Sequence, residues 1–167
     1  MKTKQLTKEE IEFLSESNKI EREYSQEALD DAIIAWKYAK KNISKRHSIK
    51  YILEIHKRLM KNLNSNLAGN IRTYPVYIGG ECRTQTRIEI KVQLEAWLEH
   101  NFTRKAEQEI KEAHVAFEHI HPFGDGNGRT GRILMNIQRL AAGVPLLTIH
   151  EGQEQANYYK WFKLQGG

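Results

Sequence analysis

Apolar residues recur at helical spacing along most of this chain. Behind Ser25, a residue suited to capping, Leu29, Ala32, Ile33, Trp36 and Ala39 form a stripe that predicts a helix running to about Lys41. Ile52, Ile55, Leu59 and Leu63 predict a second, over roughly Ser48 to Leu63. A third is expected near Lys91 to Phe102, burying Leu94, Trp97 and Leu98, and a fourth around Ile110, Ala113, His114 and Phe117. His114 lies on that apolar face and reads as a packed core histidine. Ile133, Ile137, Leu140 and Ala141 mark a helix from about Asn127 to Ala142, stopped by Gly143 and Pro145. A last helix covers about Gln153 to Leu164.

One stretch, Asn70 to Ile90, departs from this period. Thr73-Tyr74-Pro75-Val76-Tyr77-Ile78 has strand character, Gly79-Gly80 punctuates it, and Arg87-Ile88-Glu89-Ile90 is the expected return. The pattern is that of an all-α fold carrying a β-hairpin. No internal repeat, low-complexity segment or linker interrupts it, so residues 1–167 read as one domain.

Composition narrows the class. At 167 residues and 40% hydrophobic, the chain can bury an ordinary core. No apolar run is long enough for a membrane span, and the charged start Met1-Lys2-Thr3-Lys4 leads into no secretory apolar stretch. Cys82 is the only cysteine, which excludes an internal disulfide and fits a reducing cytoplasm. The net charge of +5 owes much to Lys37, Lys40, Lys41, Lys45, Arg46 and Lys50. No aromatic residue interleaves between Lys40 and Arg46, so this is read as a solvated helix end, with no nucleic-acid partner expected.

The chemistry is concentrated in His121-Pro122-Phe123-Gly124-Asp125-Gly126-Asn127-Gly128-Arg129-Thr130-Gly131-Arg132. The glycine-rich part leads into a helix N-terminus, where free N–H groups and a partial positive charge suit phosphate. Successive N–H groups of Gly126, Asn127 and Gly128 can form an anion nest. Arg129 and Arg132 share a helix face that Asn136 extends. Asp125 beside such a nest is a candidate Mg²⁺ ligand, and His121 a candidate general base.

This run resembles the Fic family motif, His-Pro-Phe-x-Asp/Glu-Gly-Asn-Gly-Arg-x-x-Arg, at every position. The resemblance implies a helical Fic-type domain that transfers AMP from ATP to a hydroxyl of a Tyr, Ser or Thr on a protein target. It implies His121 as the base, Asp125 as the Mg²⁺ ligand, and Gly126, Asn127, Gly128, Arg129 and Arg132 as phosphate binders, with Phe123 as a buried anchor. Gly69, Arg72, Val76, Ile78, Gly79 and Gly80 are similar to the family's flap segment. The flap, about 70–90 with Tyr77 among its target-facing residues, would register the target by strand addition.

Ser17 and Glu21 resemble the family's inhibitory Ser/Thr-x-x-x-Glu-Gly/Asn, with Arg22 where Gly or Asn is usual. This implies an inhibitory helix over about 8–22 whose Glu21 pairs with Arg132 and obstructs the γ-phosphate. Tyr158 and Tyr159 are similar in place to a wall of the adenine pocket. Transfer of another nucleotide or phosphate-containing group, de-AMPylation, and a non-catalytic nucleotide-binding module remain as alternatives. No membrane partner is expected, and a homodimer stays open.

Overall fold

The computed structural model describes residues 5–163, so the expected end of the last helix at Leu164 lies outside the described residues. Among them are α1 (Lys8–Ile20), α2 (Gln26–Lys41), α3 (Ile49–Leu59), β1 (Val76–Ile78), β2 (Glu81–Arg83), α4 (Arg87–His100), α5 (Glu107–Ile120), α6 (Asn127–Ala141) and α7 (Gln153–Lys163). The fold is helical with a two-stranded hairpin, as the sequence pattern predicts. No helix among the described residues is long and apolar enough to cross a membrane.

The helix α6 runs through the middle, buried along nearly its whole length, and packs against α1, α2, α3 and α5. Phe13 of α1, Trp36 of α2, Ile52 and Ile55 of α3, Leu94 of α4, Phe117 of α5 and Ile133 of α6 join in one apolar core. Burying side chains of this size contributes about 1.5–3 kcal/mol each.

Helix α1 is fixed at both ends. Its start is a capping box: Thr7 accepts from the Glu10 N–H, and the Glu10 carboxylate accepts from the Thr7 N–H. The same buried carboxylate accepts from the Trp36 indole at 3.0 Å and from Lys40, which docks α1 on α2. At the other end Arg22 adopts a left-handed backbone, φ 58°. The Arg22 N–H donates to Lys19 O and the Glu23 N–H to Asn18 O, a Schellman termination with Glu21 at the C-cap. Arg22 therefore occupies the position where the inhibitory pattern usually carries Gly or Asn, residues that tolerate positive φ.

Two boundaries differ from the sequence reading. Helix α3 stops at Leu59, not Leu63; beyond it the Asn62 N–H and side-chain amide donate to the buried carboxylate of Asp31, fixing a turn. The returning strand is Glu81–Arg83, not Arg87–Ile90. Thr86 and Glu89 make a second capping box that starts α4 at Arg87, so the apolar Ile88 and Ile90 belong to a helix. The hairpin pairs Val76 with Arg83, Tyr77 with Cys82 and Ile78 with Glu81. Gly79 and Gly80, both at positive φ, close it as a two-residue turn.

Candidate active site

The motif loop joins α5 to α6 and is held from three sides. His121 ends α5 with a left-handed backbone, φ 49° and ψ 62°. Such a conformation is strained for a non-glycine residue and needs external support. Arg72 supplies it. Its Nε donates to His121 O at 2.7 Å, and its backbone N–H donates to Pro122 O at 3.0 Å. The rest of the buried guanidinium reaches into the flap, donating to Tyr74 O, Arg83 O and the Gln85 side chain. One arginine thus ties the flap to the loop that carries His121.

The second support is His56, on the buried face of α3. Its ring stacks on Phe123 at 3.6 Å, nearly parallel. The Gly69 N–H donates to His56 Nδ1, so the proton is on Nε2, which donates to Asp125 O at 2.8 Å. Burial pushes the His56 pKa down to about 4, keeping the ring neutral. The third is Asn127, whose side-chain amide accepts from Phe123 N–H and donates to Phe123 O. Its side chain braces the loop, which leaves its backbone N–H for the nest. Gly126 is required twice over: its φ is 80°, and a Cβ there would lie 2.7 Å from the Met60 sulfur.

The Thr130 N–H donates to Gly126 O, so the N–H groups of Asn127, Gly128 and Arg129 precede the first intrahelical bond of α6. Arg129 is buried, and its Nε and Nη1 have no hydrogen-bond partner among the described residues. Its remaining nitrogen is 3.6 Å from the Asp125 carboxylate. A buried cation with unpartnered donors beside a helix N-terminus suits a polyanion. His121 Nδ1 is 3.3 Å from Glu118 O. With the proton on Nδ1, the other nitrogen carries a lone pair. Burial is the main cause that lowers the His121 pKa and favours this neutral form.

All three nitrogens of Arg132 are engaged. Its Nε donates to Ser17 Oγ at 2.8 Å, its Nη2 to Ser17 O at 3.0 Å and to Glu21 Oε1 at 2.8 Å, and its Nη1 to Tyr158 Oη at 3.2 Å. The Glu21 oxygen also stands over Gly128, 2.4 Å from where a Cβ would be. A carboxylate from α1 therefore covers the N-terminus of α6.

A sequence profile of the Fic/DOC family matches residues 46–138, more than half of the chain. The chain belongs to this family. It is similar to the protein adenylyltransferase Fic of Drosophila melanogaster, 38% identical over 121 residues, which is 70% of this chain and 24% of that protein. The corresponding protein of Drosophila erecta is 39% identical over the same extent. The chain thus spans about a quarter of the curated relatives it matches. Among solved structures, Fic-1 (residues 134–508) of C. elegans superposes with a TM-score of 0.75 at 23% identity, covering 96% of this chain and 56% of that one. A Fic domain containing signaling protein from Bacteroides thetaiotaomicron gives 0.77 at 20% identity, covering 92% and 70%. These two show the shared Fic fold.

Some expected positions lie elsewhere. Asn136 is buried, its amide donating to Leu147 O and accepting from Leu147 N–H, so it pins the segment after α6 instead of extending the phosphate face. Tyr158 is buried under Arg132, whereas Tyr159 is exposed. His114 is a core histidine, and a bonded one: its Nε2 is 2.8 Å from Tyr158 Oη. The sequence shows no role for His56, and it places Arg72 in the flap segment without its tie to the motif loop. The signal for His56 was a polar residue four after Ile52 on an apolar stripe.

Proposed function

We propose that this Fic domain transfers AMP from ATP to a hydroxyl side chain of a protein target, and that its own Glu21 holds it inactive. The observation that carries the reading is the placement of Glu21: an anion already sits where the α6 N-terminus and Arg132 converge. A carboxylate and a terminal phosphate compete for the same donors there.

In this reading the N–H groups of Asn127 and Gly128, with Arg129 and Arg132, hold the triphosphate of ATP. The flap, with Val76, Tyr77, Ile78, Gly79 and Gly80, pairs with an extended target segment and brings its hydroxyl beside His121. His121 removes the hydroxyl proton as the oxygen attacks the α-phosphorus. The bond from that phosphorus to the bridging oxygen breaks and pyrophosphate leaves, its charge held by the arginines. Catalysis is then largely positioning and charge stabilisation.

Asp125 fits a Mg²⁺ ligand. Its largely exposed carboxylate lies at the nest with one oxygen accepting from the Gly126 N–H. No cluster of three His, Cys, Asp or Glu among the described residues forms a protein-only metal cage, so the ion's other ligands would be phosphate oxygens and water. Bound there, Mg²⁺ would neutralise phosphate charge.

The reading is tested with Glu21→Gly protein and ATP radiolabelled at the α- or the γ-phosphate. Label is expected on protein from α-labelled ATP only, and none with Glu21→Gly/His121→Ala. Transfer of γ-label would establish phosphate transfer instead.

A further inference from the structure

The family match covers residues 46–138, but the partners of Arg132 come from outside it. Among the described residues, three of its four hydrogen bonds go to Ser17 of α1 and Glu21 at its C-cap, and the fourth to Tyr158 of α7. On the reading above, Glu21 must leave Arg132 before ATP can bind productively. The α7 contact involves no part of the inhibitory helix.

Its chemistry gives it a direction. Arginine can only donate, so Tyr158 Oη accepts from Nη1 and its own proton is free for another acceptor. That acceptor is His114 Nε2 at 2.8 Å. His114 is buried and close to the Arg132 cation, and both effects keep it neutral, its pKa pushed down to about 3. A neutral ring protonated on Nδ1 presents a lone pair at Nε2. Both bonds of the chain Arg132 N–H to Tyr158 O–H to His114 Nε2 therefore pair a donor with an acceptor, while His114 Nδ1 has no partner among the described residues. All three side chains are buried, and the Arg132 guanidinium carbon lies 5.7 Å from the centre of the Tyr158 ring, within reach of a cation–π attraction.

We infer that Tyr158, backed by His114, is a positioning residue for the nucleotide: it orients Arg132 toward the terminal phosphate once Glu21 has withdrawn. This assignment rests on the proposed role of Arg132 and replaces that of an adenine wall. It also makes α7 a selectivity element, because a brace acting through Arg132 strengthens binding of ATP and does nothing for AMP.

The test is calorimetric binding of a non-hydrolysable ATP analogue and of AMP to the Glu21→Gly protein carrying Tyr158→Phe, Arg132→Ala, or both. Losing one charge-assisted hydrogen bond should weaken the ATP analogue roughly tenfold. AMP binding should be unchanged, and Tyr158→Phe should add nothing in the Arg132→Ala background. His114→Gln, which keeps an acceptor, should retain affinity where His114→Leu loses it. These two variants supply the answer if Tyr158→Phe folds poorly. Equal losses for both nucleotides would make Tyr158 a wall of the base pocket. A Tyr158→Phe effect that persists without Arg132 would make its role one of packing. Unchanged ATP affinity in Tyr158→Phe and in His114→Leu would remove the brace. Each of these overturns the assignment and leaves Arg132 where it was. An Arg132→Ala variant that loses no preference for ATP over AMP would instead overturn the role of Arg132, and the inference with it.

Discussion

Glu21 accepts a 2.8 Å hydrogen bond from Arg132 across 111 residues of chain. The contact depends on two local devices, a Schellman turn that ends α1 and a helix start at Gly126 that leaves N–H groups uncovered. Glu21 is at the C-cap of one helix and stands over the first turn of another. The helix-end geometry and the proposed inhibitory contact are therefore one structural problem.

Arg22→Gly should stabilise the protein. Arg22 holds φ 58° in the left-handed region, which costs a side-chain-bearing residue about 1–2 kcal/mol, while its backbone bonds need no side chain. Glycine gives part of this back through unfolded-state entropy, so a net gain of about 1 kcal/mol, or roughly 2–4 °C in Tm, is expected. Calorimetry on the pair checks it; an unchanged or lower Tm would mean that the Arg22 side chain contributes more than the strain costs.

Arg72→Lys should damage flap and loop together. Lysine cannot reproduce bonds running at once to His121 O, Tyr74 O, Arg83 O and Gln85. In a Glu21→Gly background, AMP transfer should fall by about 10²-fold or more, as expected when a general base is misplaced. ATP binding should change far less. Parallel loss of nucleotide affinity would contradict the separation of roles.

The acid limb of transfer should lie below the ordinary histidine range. Burial, and secondarily Arg72 and Arg83, lower the pKa of His121, opposed by its bond to Glu118 O and by Glu21. In the proposed mechanism the neutral ring is the base, so activity should rise through that lowered pKa and stay flat toward neutral pH. A kcat/KM profile of the Glu21→Gly protein checks this, and a limb above pH 6.5 would rule it out.

Glu118→Gln should stabilise the protein increasingly as pH rises. The carboxyl lies buried beside Gly131, with Oε1 unpartnered among the described residues, and burial raises its pKa to about 8 despite Arg132; Glu21 adds to the rise. A carboxyl whose pKa is raised by folding favours the fold below its ordinary value, and that contribution is lost as pH rises from about 4.5 through about 8. The Tm difference between variant and parent should therefore grow from pH 5 to 8.5. A constant difference would show that Glu118 is ionised throughout.

The helices and the motif loop were legible because each rests on local rules: a 3.6-residue apolar stripe, a cap, a glycine-rich turn before a helix. Arg87–Ile90 misled because four residues of mixed apolar and charged character fit either period, and the capping pair Thr86 and Glu89 decided it. The sequence does not reveal the role of His56, and it points Asn136 to the wrong partner, because Asp125 O and the Leu147 peptide are backbone groups distant in sequence that no side-chain pattern shows. Glu21 and Arg132 were paired only through family resemblance, since nothing local links α1 to α6. Arg22 looked like a departure from the inhibitory pattern. Its positive φ gives the physical reason why Gly or Asn is usual there.

The central claim, that Glu21 blocks a competent site, is tested most directly by intact-mass spectrometry. Parent, Glu21→Gly and Glu21→Gly/His121→Ala proteins are incubated with ATP and Mg²⁺, each with and without a cell extract as a source of targets. The predicted result is an AMP-sized adduct, on the protein itself or on extract proteins, with Glu21→Gly alone. Equal modification by the parent and Glu21→Gly, or none by either, would contradict it.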